Sequence, residues 1–276
     1  MSADAADLHQ APMYDEKQDF AEHRAEVDGM VGVLASIGVR ILRHMTVLDL
    51  GAGQGMHAGF LSALANRVLC ADVIDYSSLY NGEFLRLIDE KHRRHGAAFE
   101  PDRVEFHRSD AMDLFYRDAL FDCVISINSF EHIPDPAKAL GEMIRVTKAG
   151  GHLYISTDPI WTADTGSHFF HRVAEPWAHL VYGDDGFARK MRENGAADTE
   201  VAEFLSAMNR WRLADYEQAI DRSTASGMID VVHRDSWSGV VDETHRKHRF
   251  IGELARLGYT EKELLVRGLR WVLRKR

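Results

Sequence analysis

The chain has 276 residues, of which 45% are hydrophobic and 28% charged, and its formal net charge is −10. This length and composition predict one substantial globular core with room for an added subdomain. The acidic balance disfavours nucleic-acid binding, which needs clustered lysine and arginine, and no apolar run reaches the roughly 20 residues of a membrane span.

The first part of the chain predicts strands and helices in alternation. Five apolar runs are typical of buried strands, at residues 46–50, 67–73, 103–110, 121–130 and 152–157. Helical patterns surround these runs, at residues 18–42, 56–66, 82–96 and 134–151. In the last of these helices we expect Asp135 as the N-cap, Pro136 in the first turn, and Gly150 and Gly151 at the end. The alternation predicts a parallel sheet with helices on both faces.

The alternation stops at Asp158. Residues 158–211 are rich in His, Trp and Phe and show no clear strand, and such a long insertion favours a lid or substrate wall over an idle loop. A metal site at His168, His171 and His179 is one alternative, and plain packing of the aromatic residues, including Trp177, is the other. The remaining patterns predict two helices and two strands, at residues 213–223, 228–235, 242–257 and 268–276. The last strand alternates apolar residues with arginine, which predicts one exposed face.

A glycine-rich stretch, "VLDLGAGQG" at residues 47–55, follows the first strand. A dinucleotide fingerprint has the spacing G-x-G-x-x-G, whereas Gly51, Gly53 and Gly55 are spaced G-x-G-x-G. Asp49 would repel a pyrophosphate and suits an ammonium group. S-adenosylmethionine (SAM) carries an ammonium and a sulfonium and has no phosphate. The charges therefore favour SAM over NAD, and they disfavour an NAD-linked oxidoreductase.

Two further acidic residues stand at strand ends. Asp72 ends the second strand, where a carboxylate can accept both ribose hydroxyls of a nucleotide. Asp110 ends the third strand, within "SDAMDL", and suits the amino edge of an adenine ring on which Met112 can pack. These positions indicate a nucleoside site along the carboxyl ends of the strands.

The motifs "VLDLGAGQG", "ADV", "SDAMDL", "FDCVISINSFEHIPDP" and "KAGGHLYIST" occur in this order. On these residues the chain resembles a class I SAM-dependent methyltransferase of the small-molecule group, type 11, that includes ubiquinone-biosynthesis enzymes. The resemblance implies a Rossmann-like α/β fold, with a seven-stranded sheet, helices on both faces, an antiparallel last strand and a lid insertion after the fifth strand. The cofactor-binding residues that we expect are Asp49, Gly51, Ala52, Gly53, Gly55, Asp72, Val73, Asp110, Ala111, Met112 and Asn128.

Four segments follow from this interpretation of the chain. We predict an N-terminal helical segment at 1–42, a SAM-binding core at 43–157, a substrate-lid insertion at 158–211 and a C-terminal part of the core at 212–276.

The chemistry of methyl transfer to a hydroxyl requires a base for the acceptor proton. His132, in "NSFEHI" just after the fourth strand, is the first candidate, and its alternative is a structural hydrogen bond to the backbone. His168 and His171, in the insertion, are the other two. In some ubiquinone-pathway relatives an acid, two spacers, an acid and a histidine bind a divalent cation. Here Asn128 stands at the first of those positions, so a cation such as Mg²⁺ stays open.

The predicted function is transfer of a methyl group from SAM to a small molecule, namely O-methylation of a sugar or secondary metabolite. The alternatives are N- or C-methylation of a small molecule, and a non-catalytic SAM-binding protein. The absence of an Asn/Asp-Pro-Pro-aromatic motif after the fourth strand disfavours a nucleic-acid methyltransferase. Two cysteines in apolar runs and an acidic N-terminus without a signal-peptide pattern predict a cytoplasmic protein. The acidic N-terminal helix and the insertion could both serve a homodimer.

Overall fold

The computed structural model of the chain describes residues 15–79, 81–239 and 248–276. Its strands are β1 (Thr46–Leu50), β2 (Arg67–Asp72), β3 (Val104–Arg108), β4 (Phe121–Ile127), β5 (Thr147–Thr157), β6 (Ile229–Ser238) and β7 (Val266–Lys275). Its helices are α1 (Glu16–Ser36), α2 (Met56–Ser62), α3 (Tyr76–Leu79), α4 (Phe84–Arg94), α5 (Pro136–Val146), α6 (Ala178–Glu193), α7 (Asp198–Ser206), α8 (Leu213–Ala225), α9 (Arg249–Arg256) and α10 (Glu261–Leu265). None of these helices is long and apolar enough to cross a membrane.

The strands form one mixed sheet in the order β3-β2-β1-β4-β5-β7-β6, with the last strand antiparallel. β1 lies parallel to both β2 and β4, so that Leu48 faces Leu69 on one side and Val124 on the other. All three side chains are buried, as the continuous apolar runs of these strands predict. The predicted Rossmann-like fold class is confirmed.

The chain divides into two compact units, and the first comprises residues 1–127, 141–154 and 272–276. Its core contains the apolar face of α1, formed by Val27, Met30 and Leu34 at helical spacing. The thiols of Cys70 and Cys123 are free and buried in the same core.

The second unit comprises residues 128–140 and 155–271. An aromatic cluster forms its core, with Trp161, Phe169, Trp177, Phe187 and Phe204 among the buried members. Most of the predicted insertion is thus a packed structure that contains α6 and α7.

Several predicted boundaries are confirmed and others are wrong. Asp135 caps α5 as expected, since its Oδ1 accepts from the N–H of Lys138 at 3.0 Å. Gly150 and Gly151 do not end this helix, because α5 stops at Val146 and both glycines lie in β5. A side chain at Gly151 is excluded, since an added Cβ would lie 2.8 Å from the carbonyl oxygen of Asp122.

The last strand also differs from its prediction. The alternation of arginine with apolar residues predicts one exposed face, formed by the residues that alternate with Leu269, Trp271 and Leu273. On that face Gly268 and Val272 are buried, and Arg274 at its end is exposed. The second face of β7 is therefore covered over most of its length. The predicted helix at 242–257 is observed from Arg249, and residues 240–247 lie outside the described part of the chain.

Replacement of Trp177 by alanine should lower the free energy of unfolding by about 3–5 kcal/mol, because it removes a large side chain from the core of the second unit. Trp177 is 1% exposed and its Nε1 donates to the carbonyl of Leu264 at 3.2 Å. Urea unfolding followed by circular dichroism measures the loss. Leu205→Ala, at a position 46% exposed, is the control and should stay within about 0.5 kcal/mol. Equal effects of the two variants would contradict this role of Trp177.

Candidate active site

The loop between β1 and α2 has a backbone conformation that glycine adopts without strain. Gly51, Gly53 and Gly55 have φ values of 74°, 52° and 73°. A side chain at Gly55 is excluded for a second reason, since an added Cβ would lie 2.5 Å from Cζ of Phe84. At Gly53 an added Cβ would meet nothing within 4 Å, so the space beside this residue is open. The loop therefore leaves its backbone accessible to a ligand.

Asp72, at the end of β2, anchors this loop. The N–H of Gly53 donates to Asp72 Oδ2 at 3.0 Å, and the N–H of Ile74 donates to Oδ1 at 2.9 Å. Burial raises the pKa of Asp72, and these backbone donors limit the rise. Each carboxylate oxygen keeps a lone pair for a further donor. The group can thus hold the loop and accept ribose hydroxyls together.

Asp49 is a buried carboxylate near the end of β1, 1% exposed. Neither of its oxygens has a hydrogen-bond partner among the described residues. Burial raises the pKa of Asp49 to about 6, and the charge of Asp72 adds to this rise. The charge of His57 and, to a smaller extent, the nearby backbone N–H of Ala58 lower it. An unpaired carboxylate in such a place is costly unless a ligand supplies a donor or a positive charge.

The predicted adenine end lies beyond β2 and β3. Val73 is 62% exposed and lines a cavity of about 430 Å³ together with Ile74, Asp75, Ser78 and Arg108. Asp110 Oδ1 accepts from the N–H of Met112 at 2.8 Å, and Ala111 and Met112 are half-buried. Within the glycine loop, Ala52 is buried, and its N–H donates to the carbonyl of Ala71 at 3.2 Å.

In the second unit, Asn128 begins the segment that follows β4. It has a left-handed backbone, with φ of 48°, and its N–H donates to the carbonyl of Ser156 at 2.9 Å. This turn leads into a single 3₁₀ turn at Phe130–His132, which carries two ionisable residues. The local fold thus places Glu131 and His132 just beyond the carboxyl end of β4.

His132 and His168 lie together in this unit. Their ring centroids are 5.0 Å apart at an interplanar angle of 82°. His132 Nδ1 lies 2.9 Å from the carbonyl oxygen of Ala207, and His168 Nε2 lies 3.2 Å from that of Pro159. Each imidazole therefore has one nitrogen that donates to the backbone and a second with a lone pair. Burial and the nearby His132 lower the pKa of His168 to about 4, so His168 is uncharged at neutral pH.

Glu131 completes this group, and sequence analysis did not include it among the site residues. Its carboxylate is buried, and neither oxygen has a hydrogen-bond partner in the described part of the chain. Burial raises the pKa of Glu131 to about 8, which its own backbone N–H, the hydroxyl of Thr157 and the N–H of Asp158 only partly offset. One candidate ligand atom from each of Glu131, His132 and His168 lies within 4.8 Å of the other two. The sequence did contain a signal for Glu131, because it is an acidic residue next to a candidate base, directly after a buried strand.

His171 is not a member of this cluster. Its Nε2 lies 3.6 Å from Glu200 Oε1, and its side chain is 53% exposed. The structure therefore brings together two of the three predicted catalytic histidines.

Comparison with known proteins finds a methyltransferase domain in this chain. A family model described as a methyltransferase domain matches residues 48–155. A demethylmenaquinone methyltransferase of Clavibacter sepedonicus is 29% identical over 187 residues, which are 66% of this chain and 70% of that protein. A 27-O-demethylrifamycin SV methyltransferase of Amycolatopsis mediterranei is 35% identical over 59% of this chain and 58% of its own length. A ubiquinone/menaquinone biosynthesis C-methyltransferase of Proteus mirabilis is 34% identical over 43% of each chain.

Residues 48–155 are a methyltransferase domain of the class I SAM-dependent type.

Solved structures show the same fold at low sequence identity. The YcgJ protein of Bacillus subtilis superposes with a TM-score of 0.53 at 15% identity, over 92% of this chain and 99% of that one. A putative sarcosine dimethylglycine methyltransferase from Galdieria sulphuraria gives 0.52 at 17% identity, over 90% and 84% of the two chains. At these identities the likeness concerns the fold alone.

The residues of this methyltransferase fit SAM on two observations. The unpaired carboxylate of Asp49 matches the ammonium group of the amino-acid part, and the open space beside Gly53 gives the cofactor access to the backbone of the loop. Asp72 would hold the ribose, and Val73, Asp110, Ala111 and Met112 the adenine. These assignments, and that of Asn128, remain predictions for the individual residues. The sequence did not predict the hydrogen bond from Gly53 to Asp72. This bond joins the loop after β1 to the end of β2, so predicting it requires knowing that these two strands are neighbours.

The Asp72→Ala variant of the methyltransferase should bind S-adenosylhomocysteine (SAH), the product of SAM, more weakly by about 1.5–3 kcal/mol. The reason is the loss of charge-assisted hydrogen bonds to the ribose together with the anchor of the loop. Isothermal titration calorimetry measures the change, and Asp102→Ala, an exposed acid of the same unit, is the control. Binding of NADH in place of SAH by the unaltered protein would contradict the cofactor assignment.

Proposed function

We propose that this methyltransferase transfers a methyl group to a hydroxyl of a small molecule, a sugar or secondary metabolite, and that His132 takes the acceptor proton. The observation that carries this proposal is the cluster of Glu131, His132 and His168 beyond the carboxyl end of β4. In open α/β sheets ligands bind at the carboxyl ends of the strands, so a base in this segment is well placed for an acceptor.

The hydrogen bonds of the cluster favour His132 as the base. Its Nδ1–H donates to the carbonyl of Ala207, so Nε2 carries the lone pair that can accept a proton. His168 is uncharged at neutral pH and does not oppose a positive charge that develops on His132. When bound, SAM supplies a methyl group on a sulfonium, which is already activated for in-line displacement. The chain's own task is to orient the acceptor, exclude water and remove the proton.

The segment 158–211 would form the wall of the acceptor site. His168 comes from this segment, and it contacts His132. We therefore expect His168→Phe to raise the KM for the acceptor with little effect on SAH affinity. His171→Ala in the same assay tests the catalytic role that the sequence predicts for His171.

C-methylation of a quinol ring is the second candidate function. Two of the relatives are named as a demethylmenaquinone methyltransferase and a ubiquinone/menaquinone biosynthesis C-methyltransferase, whereas the rifamycin enzyme is named for a 27-O-demethyl compound. Removal of a phenolic proton would also use a base at His132. Assay of a panel of hydroxylated, amine and quinol acceptors, with the methyl position of each product found by NMR, separates O-, N- and C-methylation.

A divalent cation is an alternative to the base. Glu131, His132 and His168 could hold one, because a carboxylate and two neutral imidazoles are suitable ligands and each imidazole donates its other N–H to a backbone carbonyl. A cation there would lower the pKa of the acceptor hydroxyl directly. Loss of turnover after chelation and its return with added Mg²⁺ or Zn²⁺ would favour this version.

A cytoplasmic location and a homodimer remain predictions from the sequence.

His132→Ala should slow methyl transfer by about 10²- to 10⁴-fold, which is the usual contribution of a correctly placed base. SAH affinity should change little, because the predicted cofactor residues other than Asn128 lie in the first unit. Single-turnover kinetics with an accepted substrate measures the rate, and His44→Ala, at an exposed position, is the matched control. Wild-type turnover of His132→Ala, insensitive to chelator, would refute both the base and the cation.

A further inference from the structure

Two buried ionisable groups flank the glycine loop of the first unit. Asp49 stands before Gly51, and His57 stands after Gly55 in the first turn of α2. Asp49 is 1% exposed and His57 is 8% exposed. The mechanism derived above uses Asp49 as the partner of an ammonium group, which requires the carboxylate to be ionised. Burial without a hydrogen-bond partner opposes that ionisation.

The imidazole of His57 is held by the N-terminal helix. His57 Nε2 lies 2.7 Å from Glu26 Oε2, and Glu26 lies on α1 one turn before the core residue Met30. The ring of His23, also on α1, lies 5.1 Å from the ring of His57. His23 Nδ1 in turn lies 2.7 Å from the carbonyl oxygen of Asp19. Packing of α1 on the core therefore fixes Glu26 beside the helix that follows the glycine loop.

The charges in this arrangement alternate in sign. Burial lowers the pKa of His57, but the hydrogen bond to Glu26 and the carboxylates of Asp49 and Glu26 outweigh it and raise this pKa. The resulting imidazolium lowers the pKa of Asp49 against the effects of burial and of Asp72. Glu26 thus supports a positive charge on His57, which supports a negative charge on Asp49.

We propose that Glu26 and His57 are positioning residues for the cofactor, which keep Asp49 ionised to bind the ammonium group of SAM. This inference rests on the assignment of SAM to the glycine loop. The proposal gives α1 a role beyond packing, because this helix carries Glu26, the first charged group in the series Glu26, His57 and Asp49. The cost of burying Asp49 without a hydrogen bond is offset by His57 before the cofactor arrives.

Among the described residues, the other charged groups near this series lie on α1, β2 and α4. On β2, Asp72 faces Asp49 and opposes its ionisation, and the neutral thiol of Cys70 lies close to both. On α1, Asp19 lies 3.5 Å from His23 Nδ1 and 3.0 Å from the ammonium of Lys91, so its charge is shared with α4. Glu26 is therefore the carboxylate of α1 that contacts His57 directly.

The experiment compares the affinity for SAH between pH 5.5 and pH 8.5 in the wild type and in Glu26→Gln. Affinity of the wild type should fall as the pH drops through about 6, where Asp49 gains a proton. Without Glu26, His57 loses its positive charge more readily and Asp49 gains its proton at higher pH. At pH 6 we expect the variant to bind SAH about fivefold more weakly, and at pH 7 about twofold, because a rise of one unit in the pKa of Asp49 lowers its ionised fraction from about 0.5 to about 0.1 at pH 6 and from about 0.9 to about 0.5 at pH 7. The deficit should largely disappear at pH 8.5.

Two controls separate this effect from a structural one. Glu22→Gln removes a carboxylate from an exposed position of the same helix and should leave the SAH profile unchanged. 5′-Methylthioadenosine lacks the ammonium group, so its affinity should be the same in the wild type and in Glu26→Gln. His57→Gln should weaken SAH binding at pH 7 as Glu26→Gln does, and the double variant should be no weaker than His57→Gln alone.

Each other result overturns the proposal. A loss of SAH affinity that is equal at every pH, or that extends to 5′-methylthioadenosine, would make Glu26 a structural residue only. An unchanged profile in both Glu26→Gln and His57→Gln would show that Asp49 needs no such support. Failure of the wild type to bind SAH at any pH would refute the cofactor assignment itself, which is a separate outcome. Thermal unfolding of each variant identifies any that fails to fold. If either Glu26→Gln or His57→Gln fails, the other single variant tests the proposal.

Discussion

The hydrogen bond from the Gly53 N–H to the carboxylate of Asp72 is the contact on which the candidate cofactor site depends. It joins the loop after β1 to the end of β2, and it is possible because β1 and β2 are parallel neighbours whose carboxyl ends meet at one edge of the sheet. The left-handed glycines let the chain turn there without a side chain in the way. If this bond were absent, the loop would lose its fixed position relative to Asp72. The predicted ribose and ammonium subsites would not then be held at a constant separation.

Buried carboxylates without partners recur in this molecule, and each accompanies a proposed task. Asp49, in the first unit, and Glu131, in the second, are both buried, and their oxygens lack hydrogen-bond partners among the described residues. A core that served stability alone would replace such groups with apolar ones. Their retention is understandable where a ligand or a transferred proton supplies the missing partner. Apolar packing elsewhere, such as the aromatic cluster of the second unit, offsets the loss of stability that these buried carboxylates cause.

Histidines in this chain differ in role according to their surroundings. His57 keeps a carboxylate as its partner and favours the charged form, whereas His168 and His179 are buried against backbone carbonyls and have pKa values lowered to about 4. His171 lies on the surface beside Glu200. The same residue type thus provides a fixed positive charge at one place and a neutral ring at another. Desolvation and the nearest charge decide between these roles.

The sequence alone determined the local structure and the class of chemistry. Short-range patterns were sufficient for β1, for the N-cap at Asp135 and for the glycine loop, because apolar periodicity, capping and the turn conformation are set by residues close together in the chain. They failed at β7, where the second face is covered at Gly268 and Val272, and at Gly150 and Gly151, which lie within a strand. Those outcomes depend on which strands become neighbours. The tertiary structure alone decided the pairing of Glu26 with His57, the approach of His168 to His132 and the burial of Glu131. Each of these contacts joins segments far apart in sequence or requires desolvation by the rest of the fold, and neither condition can be read from local sequence.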